Sequence, residues 1–188
     1  LTVPGSVTIG NSGAVTVVIP SGVITNPVSP STSYTLQVKT SVEATNVASN
    51  TYIIATASTT VTAANVTPSP LSANANAQYT IGFNVGAQGA LTLGSSTITV
   101  TFPNNTTIPA SITPANITVN GTPVSAAVII NQGLRTVTLT TPVNIGASGS
   151  VSVVFLAAAG LFNPSAASFT LQVRTSVEAT NIASNGYT

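Results

Sequence analysis

Apolar and polar residues alternate with a period of two through most of the chain. The alternating runs are short, rich in β-branched residues and separated by Gly, Pro, Asn and Ser. That period puts successive side chains on opposite faces of an extended backbone, so each run predicts a half-buried antiparallel strand. In residues 78–85, Tyr79, Ile81, Phe83 and Val85 share one face; in residues 97–102, Ile98, Val100 and Phe102 do. Residues 117–124 contain Asn120-Gly121, a pair that tolerates positive φ and suits a tight hairpin turn. Residues 128–139 predict a second hairpin turning near Asn131 to Gly133, and further strands are expected at 150–156 and 168–175. The run Leu156-Ala-Ala-Ala-Gly160 has a helical composition, but Gly160 and Asn163-Pro164 end it within a turn or two.

One phrase occurs twice. Residues 34–50, Tyr-Thr-Leu-Gln-Val-Lys-Thr-Ser-Val-Glu-Ala-Thr-Asn-Val-Ala-Ser-Asn, return at 169–185 with only Tyr34/Phe169, Lys39/Arg174 and Val47/Ile182 exchanged, at a constant offset of 135 residues. A fixed period marks a modular array. With 188 residues the chain holds one complete 135-residue repeat and roughly the last third of another. Upstream of the phrase, residues 7–19 match 143–155, and Asn26-Pro27 matches Asn163-Pro164. The expected organisation is a partial β-sandwich module over 1–52 with the last three strands of a repeat, an extended connector over 53–64, and a complete module over 65–188. Seven or eight short strands in about 125 residues, with regularly spaced turn signals, predict an all-β fold of immunoglobulin-like antiparallel β-sandwich modules in tandem. The connector lacks Pro, Gly and charge, and predicts continuous extended chain rather than a flexible linker.

Composition removes most chemistries. Cys, His, Met, Trp and Asp are absent, and the charged residues are Lys39, Glu43, Arg135, Arg174 and Glu178. Nucleophilic triads need an imidazole base and zinc needs imidazole or thiolate ligands; calcium normally gathers several carboxylates. No enzyme activity, cofactor or metal is therefore expected, and no residue is assigned a catalytic role. Charged residues make up 3% of the chain, against about 25% in ordinary soluble domains, which gives little protection against self-association. Three dispersed cations are too few to neutralise a run of phosphates, so nucleic acid is not an expected partner. The mean hydropathy of +0.49 comes from interleaved residues, and no run approaches the ~20 apolar residues of a membrane-spanning helix.

The candidate working residues are those of an assembly surface. In the partial module Val15, Val17, Ile19, Tyr34, Leu36 and Val38 carry the inward-facing pattern of a sandwich, yet the opposing strands, supplied in the complete copy by residues 79–139, are missing. A neighbouring copy of the chain or a longer precursor would supply them. Lys39 and Glu43, with their counterparts Arg174 and Glu178, fit two readings: an exposed polar edge that discourages indiscriminate pairing, or contacts across modules or subunits, Lys39 to Glu178 or Arg174 to Glu43. The equivalent Tyr52 and Tyr187 are expected to pack at module junctions rather than to form a sugar-stacking platform. Thr-x-Thr alternation at 97–101 and 136–140 reads as the outward faces of ordinary strands.

The complete copy, through Tyr79-Thr-Ile-Gly-Phe83, Ser96-Thr-Ile-Thr-Val-Thr-Phe-Pro103, Ile117-Thr-Val-Asn-Gly121, Val151-Ser-Val-Val-Phe155 and Phe169-Thr-Leu-Gln-Val-Arg-Thr-Ser176, resembles the tandem β-sandwich repeats of large secreted bacterial surface proteins, S-layer-like proteins among them. The resemblance implies an extracellular or cell-surface location and brings no catalytic residue with it. The near absence of acids departs from many such proteins and argues against calcium-dependent assembly. The expected function is that of a non-enzymatic structural protein that self-assembles into a filament or surface lattice through strand edges and apolar contacts. Its partner is then itself, with cell wall or glycan as a further contact. An adhesin stalk or carbohydrate-binding module is the alternative.

Overall fold

The computed structural model describes residues 1–20, 22–27, 29–54, 58–165 and 167–188. The chain divides into two units, Leu1–Thr56 and Ala57–Thr188. Both are built from antiparallel β-structure, and the described residues add only two single 3₁₀ turns, Pro114–Asn116 and Ala157–Ala159.

In the second unit the period-two runs become ten strands: β5 (Asn65–Ser69), β6 (Gln78–Asn84), β7 (Thr97–Thr101), β8 (Ile117–Val119), β9 (Thr122–Pro123), β10 (Ile129–Asn131), β11 (Thr136–Thr140), β12 (Ser150–Phe155), β13 (Gln172–Thr175) and β14 (Ile182–Ala183). The first unit contributes β1 (Ser31–Tyr34), β2 (Gln37–Val38), β3 (Val47–Ala48) and β4 (Tyr52–Ile54). Two five-stranded sheets result, ordered β5-β6-β12-β8-β9 and β10-β11-β7-β13-β14. Register follows the hydrophobic pattern, because a one-residue slip would turn every apolar side chain outward. Tyr79 thus faces Phe155, Ile81 faces Val153 and Phe83 faces Val151 in the first sheet. In the second, Val100 lies opposite both Val137 and Val173. The inward residues of both sheets form one core, in which Tyr79, Phe102 and Phe155 meet edge to face with 5.5 Å between ring centroids. Each such buried side chain contributes about 1.5–3 kcal/mol.

The hairpin at Asn120-Gly121 forms as the sequence predicts, with φ of 49° and 80° at the two turn residues. The second hairpin turns later than expected. Asn131 is still paired, with Thr136, so the loop is residues 132–135 and the left-handed residue is Arg135, at φ 53°. Asn131 Oδ1 accepts from the Leu134 amide at 2.9 Å, which closes the loop from its first edge. The alanine run makes one 3₁₀ turn before Gly160. The threonines of β7 and β11 stand opposite one another, Thr99 and Thr138 sharing a hydroxyl hydrogen bond of 2.9 Å.

In the first unit β1 pairs with β4, and β2 with β3. Residues 15–19, expected as a strand, are not paired. Their counterpart, β12, is a strand because β6 and β8 flank it; a ladder is a relation between two strands, and the sequence pattern supplies only one of them. The connector expected over 53–64 falls partly on residues 55–57, outside the described residues. Ile53 and Ile54 belong to β4, and Val61 and Ala64 lie in the core of the second unit.

Candidate assembly surface

The repeated phrase folds the same way in both units. The Thr40 amide donates to Glu43 O at 3.0 Å and the Glu43 amide to Thr40 Oγ1 at 2.8 Å; the equivalent bonds of Thr175 and Glu178 are 3.0 and 2.9 Å. The Leu36 amide donates to Ser49 Oγ at 2.9 Å, as the Leu171 amide does to Ser184 Oγ at 3.0 Å. Gln37 pairs with Ala48 and Val38 with Val47, as Gln172 pairs with Ala183 and Val173 with Ile182. Further upstream, Ser12 and Ser148 both take positive φ, at 58° and 56°, in turns closed by Gly13 to Gly10 O and Gly149 to Gly146 O. Short-range hydrogen bonds fix these shapes, so they form whether or not anything covers them.

What covers them differs. Val151, Val153, Phe155, Leu171 and Val173 are core residues of the second unit. Their counterparts Val15, Val17, Ile19, Leu36 and Val38 are exposed; Val17, for example, keeps 59% of its surface where Val153 keeps 0%. Tyr34 and Tyr52 stack on each other, with centroids 5.9 Å apart, and Tyr34 Oη donates to Ser29 O at 2.7 Å. Both tyrosines are half-buried.

The two glutamates diverge most. Glu43 is exposed, whereas Glu178 is 2% exposed and both of its carboxylate oxygens accept from the Gly86 amide, at 3.0 and 3.1 Å. The loop Gly86-Ala-Gln-Gly89 at the end of β6 closes over that carboxylate so tightly that a methyl group on either glycine would collide with it. The carboxylate of Glu178 is thus held by the backbone of that loop. Arg174 is half-buried on β13 opposite Thr99, and Lys39 is exposed.

Tyr187 is an interior residue of the second unit, 8% exposed, edge-on to Tyr79 and bridged through its backbone to Phe169. It lines a cleft of about 460 Å³ with Pro68, Leu71, Asn163, Pro164 and Phe169, and its hydroxyl is buried without a hydrogen-bond partner among the described residues. Burial pushes the Tyr79 phenol up to about 12 and raises that of Tyr187 as well, the nearby Tyr79 adding to the effect. Tyr79 Oη donates to Asn163 Oδ1 at 2.8 Å, and Asn163 Nδ2 donates to the carbonyls of Pro70 and Ser72.

The sequence alone does not single out Gly86, Gly89 or Asn163. The available signal was a Gly-x-x-Gly loop in a chain with only two acids, one per repeat. Among the described residues no group of three or more His, Cys, Asp or Glu could hold a metal ion, and no helix is long and apolar enough to cross a membrane.

No protein family and no curated protein matches the sequence. Among solved structures the chain is similar to the crystal structure of BslA, a bacterial hydrophobin, at 15% identity over 66% of this chain and 96% of that one, with a TM-score of 0.41. This is a distant likeness, and nothing about the assembly of this chain follows from it.

Proposed function

We propose that the chain is a non-enzymatic structural protein of the cell exterior, built of immunoglobulin-like sandwich modules in tandem, which self-assembles into a filament or surface lattice through strand edges and apolar contacts. One observation carries this reading. The first unit holds the repeated phrase in the hydrogen-bonded shape it has in the second and presents Leu36 and Val38, together with Val15, Val17 and Ile19, to solvent, while the same positions in the second unit are core. Apolar side chains that are exposed here and core in the equivalent unit favour an interaction surface, and the unpaired backbone of residues 15–19 adds a template for strand pairing. With five charged side chains, like-charge repulsion opposes association little.

Sedimentation of the purified chain over a concentration series, with electron microscopy of the same samples, tests the proposal. Ordered polymers support it. A monomer at every concentration rejects it in favour of an adhesin stalk that spaces a binding tip lying elsewhere.

A further inference from the structure

We propose that Asn105, in the turn that follows β7, is the acceptor for an N-linked glycan. The inference goes beyond the assembly reading and does not rest on it. The Asn-x-Ser/Thr pattern that such a transfer requires occurs five times, at Asn65, Asn104, Asn105, Asn116 and Asn120. A chain so rich in Asn and Thr produces matches by composition alone, and the fold separates them. Transfer to a folded chain needs a carboxamide free of other partners and, two residues later, a hydroxyl that the enzyme can reach.

Four of the five positions fail one of these conditions. Asn120 has both groups taken: its Nδ2 donates to Ser150 O at 3.1 Å, and its Oδ1 accepts from the Ser152 amide at 2.7 Å. Asn116 is half-buried, and its Nδ2 donates to Ala158 O at 2.9 Å. Asn65 Oδ1 accepts from Asn185 Nδ2 at 2.6 Å, and the backbone of Asn65 and Thr67 lies in the ladder between β5 and β6. Asn104 is exposed, but the hydroxyl it needs, that of Thr106, is buried.

Asn105 meets both. It is exposed, with no hydrogen bond to its side chain among the described residues. The Thr106 amide closes the turn on Pro103 O at 3.3 Å, and the φ of 68° at Asn105 is a left-handed value that Asn tolerates better than most residues. Thr107 is exposed, while its backbone is fixed by two hydrogen bonds with Phe162, its amide donating to Phe162 O at 3.2 Å and the Phe162 amide to Thr107 O at 3.1 Å. The acceptor is thus unrestrained and its recognition hydroxyl is held in place. Phe162 adds an independent observation. It is the one exposed aromatic residue among the described residues, and its bridge to Thr107 places it beside the acceptor turn. The carbon-bound hydrogens of a pyranose face pack on such a ring, whose π-face carries negative charge, so an apolar seat for a sugar adjoins the turn that would carry it.

The donor class is an oligosaccharide carried on a lipid pyrophosphate. The Asn105 carboxamide nitrogen attacks its anomeric carbon; a C–N bond forms as the C–O bond to phosphate breaks. The lipid pyrophosphate leaves with that electron pair, and the amide gives one proton to the enzyme's base.

The test combines the folded, purified chain with such a donor and an oligosaccharyltransferase that accepts Asn-x-Ser/Thr without further requirement. Mass spectrometry of proteolytic fragments reads the modified positions and their rates, each relative to a synthetic peptide of the same sequence. The proposal expects Asn105 to react in the folded chain and the other four positions to fall behind it by about 10-fold or more. It expects Thr107→Val to slow transfer to Asn105 by about 10-fold or more, the loss of one hydrogen bond to the enzyme. Thr106→Val removes the Asn104 pattern, keeps that of Asn105, and is expected to leave the transfer in place; circular dichroism checks that both variants are folded. A folded chain bare at Asn105, or one modified evenly at all five positions, overturns the proposal. So does loss of the glycan in Thr106→Val with retention in Thr107→Val, which would put the sugar on Asn104. Polymers are scored by sedimentation and the glycan by mass, so a bare Asn105 in a chain that polymerises sinks this inference alone, and a glycosylated chain that stays monomeric sinks the assembly reading alone.

Discussion

Replacing Glu178 by Ala perturbs the second unit at one of its least replaceable polar contacts, and Glu43→Ala provides the same change in the same phrase without the contact. Glu178 is buried with both oxygens on the Gly86 amide. Its removal leaves that amide unpaired in the interior, which costs about 1–3 kcal/mol, and opens a void over Gly86 and Gly89, which adds a comparable amount. Loss of the carboxylate also relieves its own desolvation, an opposing effect, so the net destabilisation is about 2–3 kcal/mol. At about 4 °C per kcal/mol for a unit of this size, the melting transition of the second unit falls by on the order of 10 °C. Glu43→Ala leaves the turn closed by Thr40 intact and touches nothing buried, so the melting transition is expected to stay in place. Calorimetry of the two variants beside the parent chain reads both numbers. Equal shifts at the two positions, or no shift in Glu178→Ala, would refute the argument that the Gly86–Gly89 loop makes the difference between two nearly identical phrases.

Asn163→Ala strands the Tyr79 hydroxyl and two carbonyls at once, and is expected to cost about 2–4 kcal/mol in denaturant unfolding; a loss under about 0.5 kcal/mol would show that the network carries no stability. Because the folded state holds Tyr79 protonated up to about 12 while an unfolded tyrosine ionises near 10, stability is whole below about pH 10 and declines as pH rises from 10 to 12, with Tyr187 acting in the same direction. A pH series of melting temperatures with phenolate absorbance checks this, and a flat profile across that window contradicts it. Association through apolar faces is expected to persist in about 1 M salt, where surface ion pairs are screened within about 3 Å; dissolution of polymers at neutral pH by salt alone would move the explanation to Lys39, Glu43 and Arg174. Chelator is expected to leave melting unchanged, and a fall reversed by calcium would overturn the metal-free account.

The strands of the second unit were legible because alternation is local: Tyr79, Ile81 and Phe83 announce a face before any partner is known. The hairpin at Asn120-Gly121 was legible for the same reason, since the turn's demand for positive φ falls on two adjacent residues. The second hairpin was displaced because Asn131 and Gly133 are both turn formers, and the choice between them is made by cross-strand pairing of Asn131 with Thr136. The environments of Glu43 and Glu178 could not be read at all. Their local sequences are the same, and the loop that buries one of them lies 92 residues away in the chain. Residues 15–19 show the opposite limit, a strand pattern that remains unpaired because pairing depends on a segment outside it.

The central claim is that the exposed apolar residues of the first unit are covered on assembly as their counterparts are covered in the second unit. It is tested most directly by a structure of the assembled state at a resolution that shows side chains. The account expects Val15, Val17, Leu36 and Val38 to be covered by protein to the level of Val151, Val153, Leu171 and Val173. An ordered assembly in which those four residues still face solvent would contradict it.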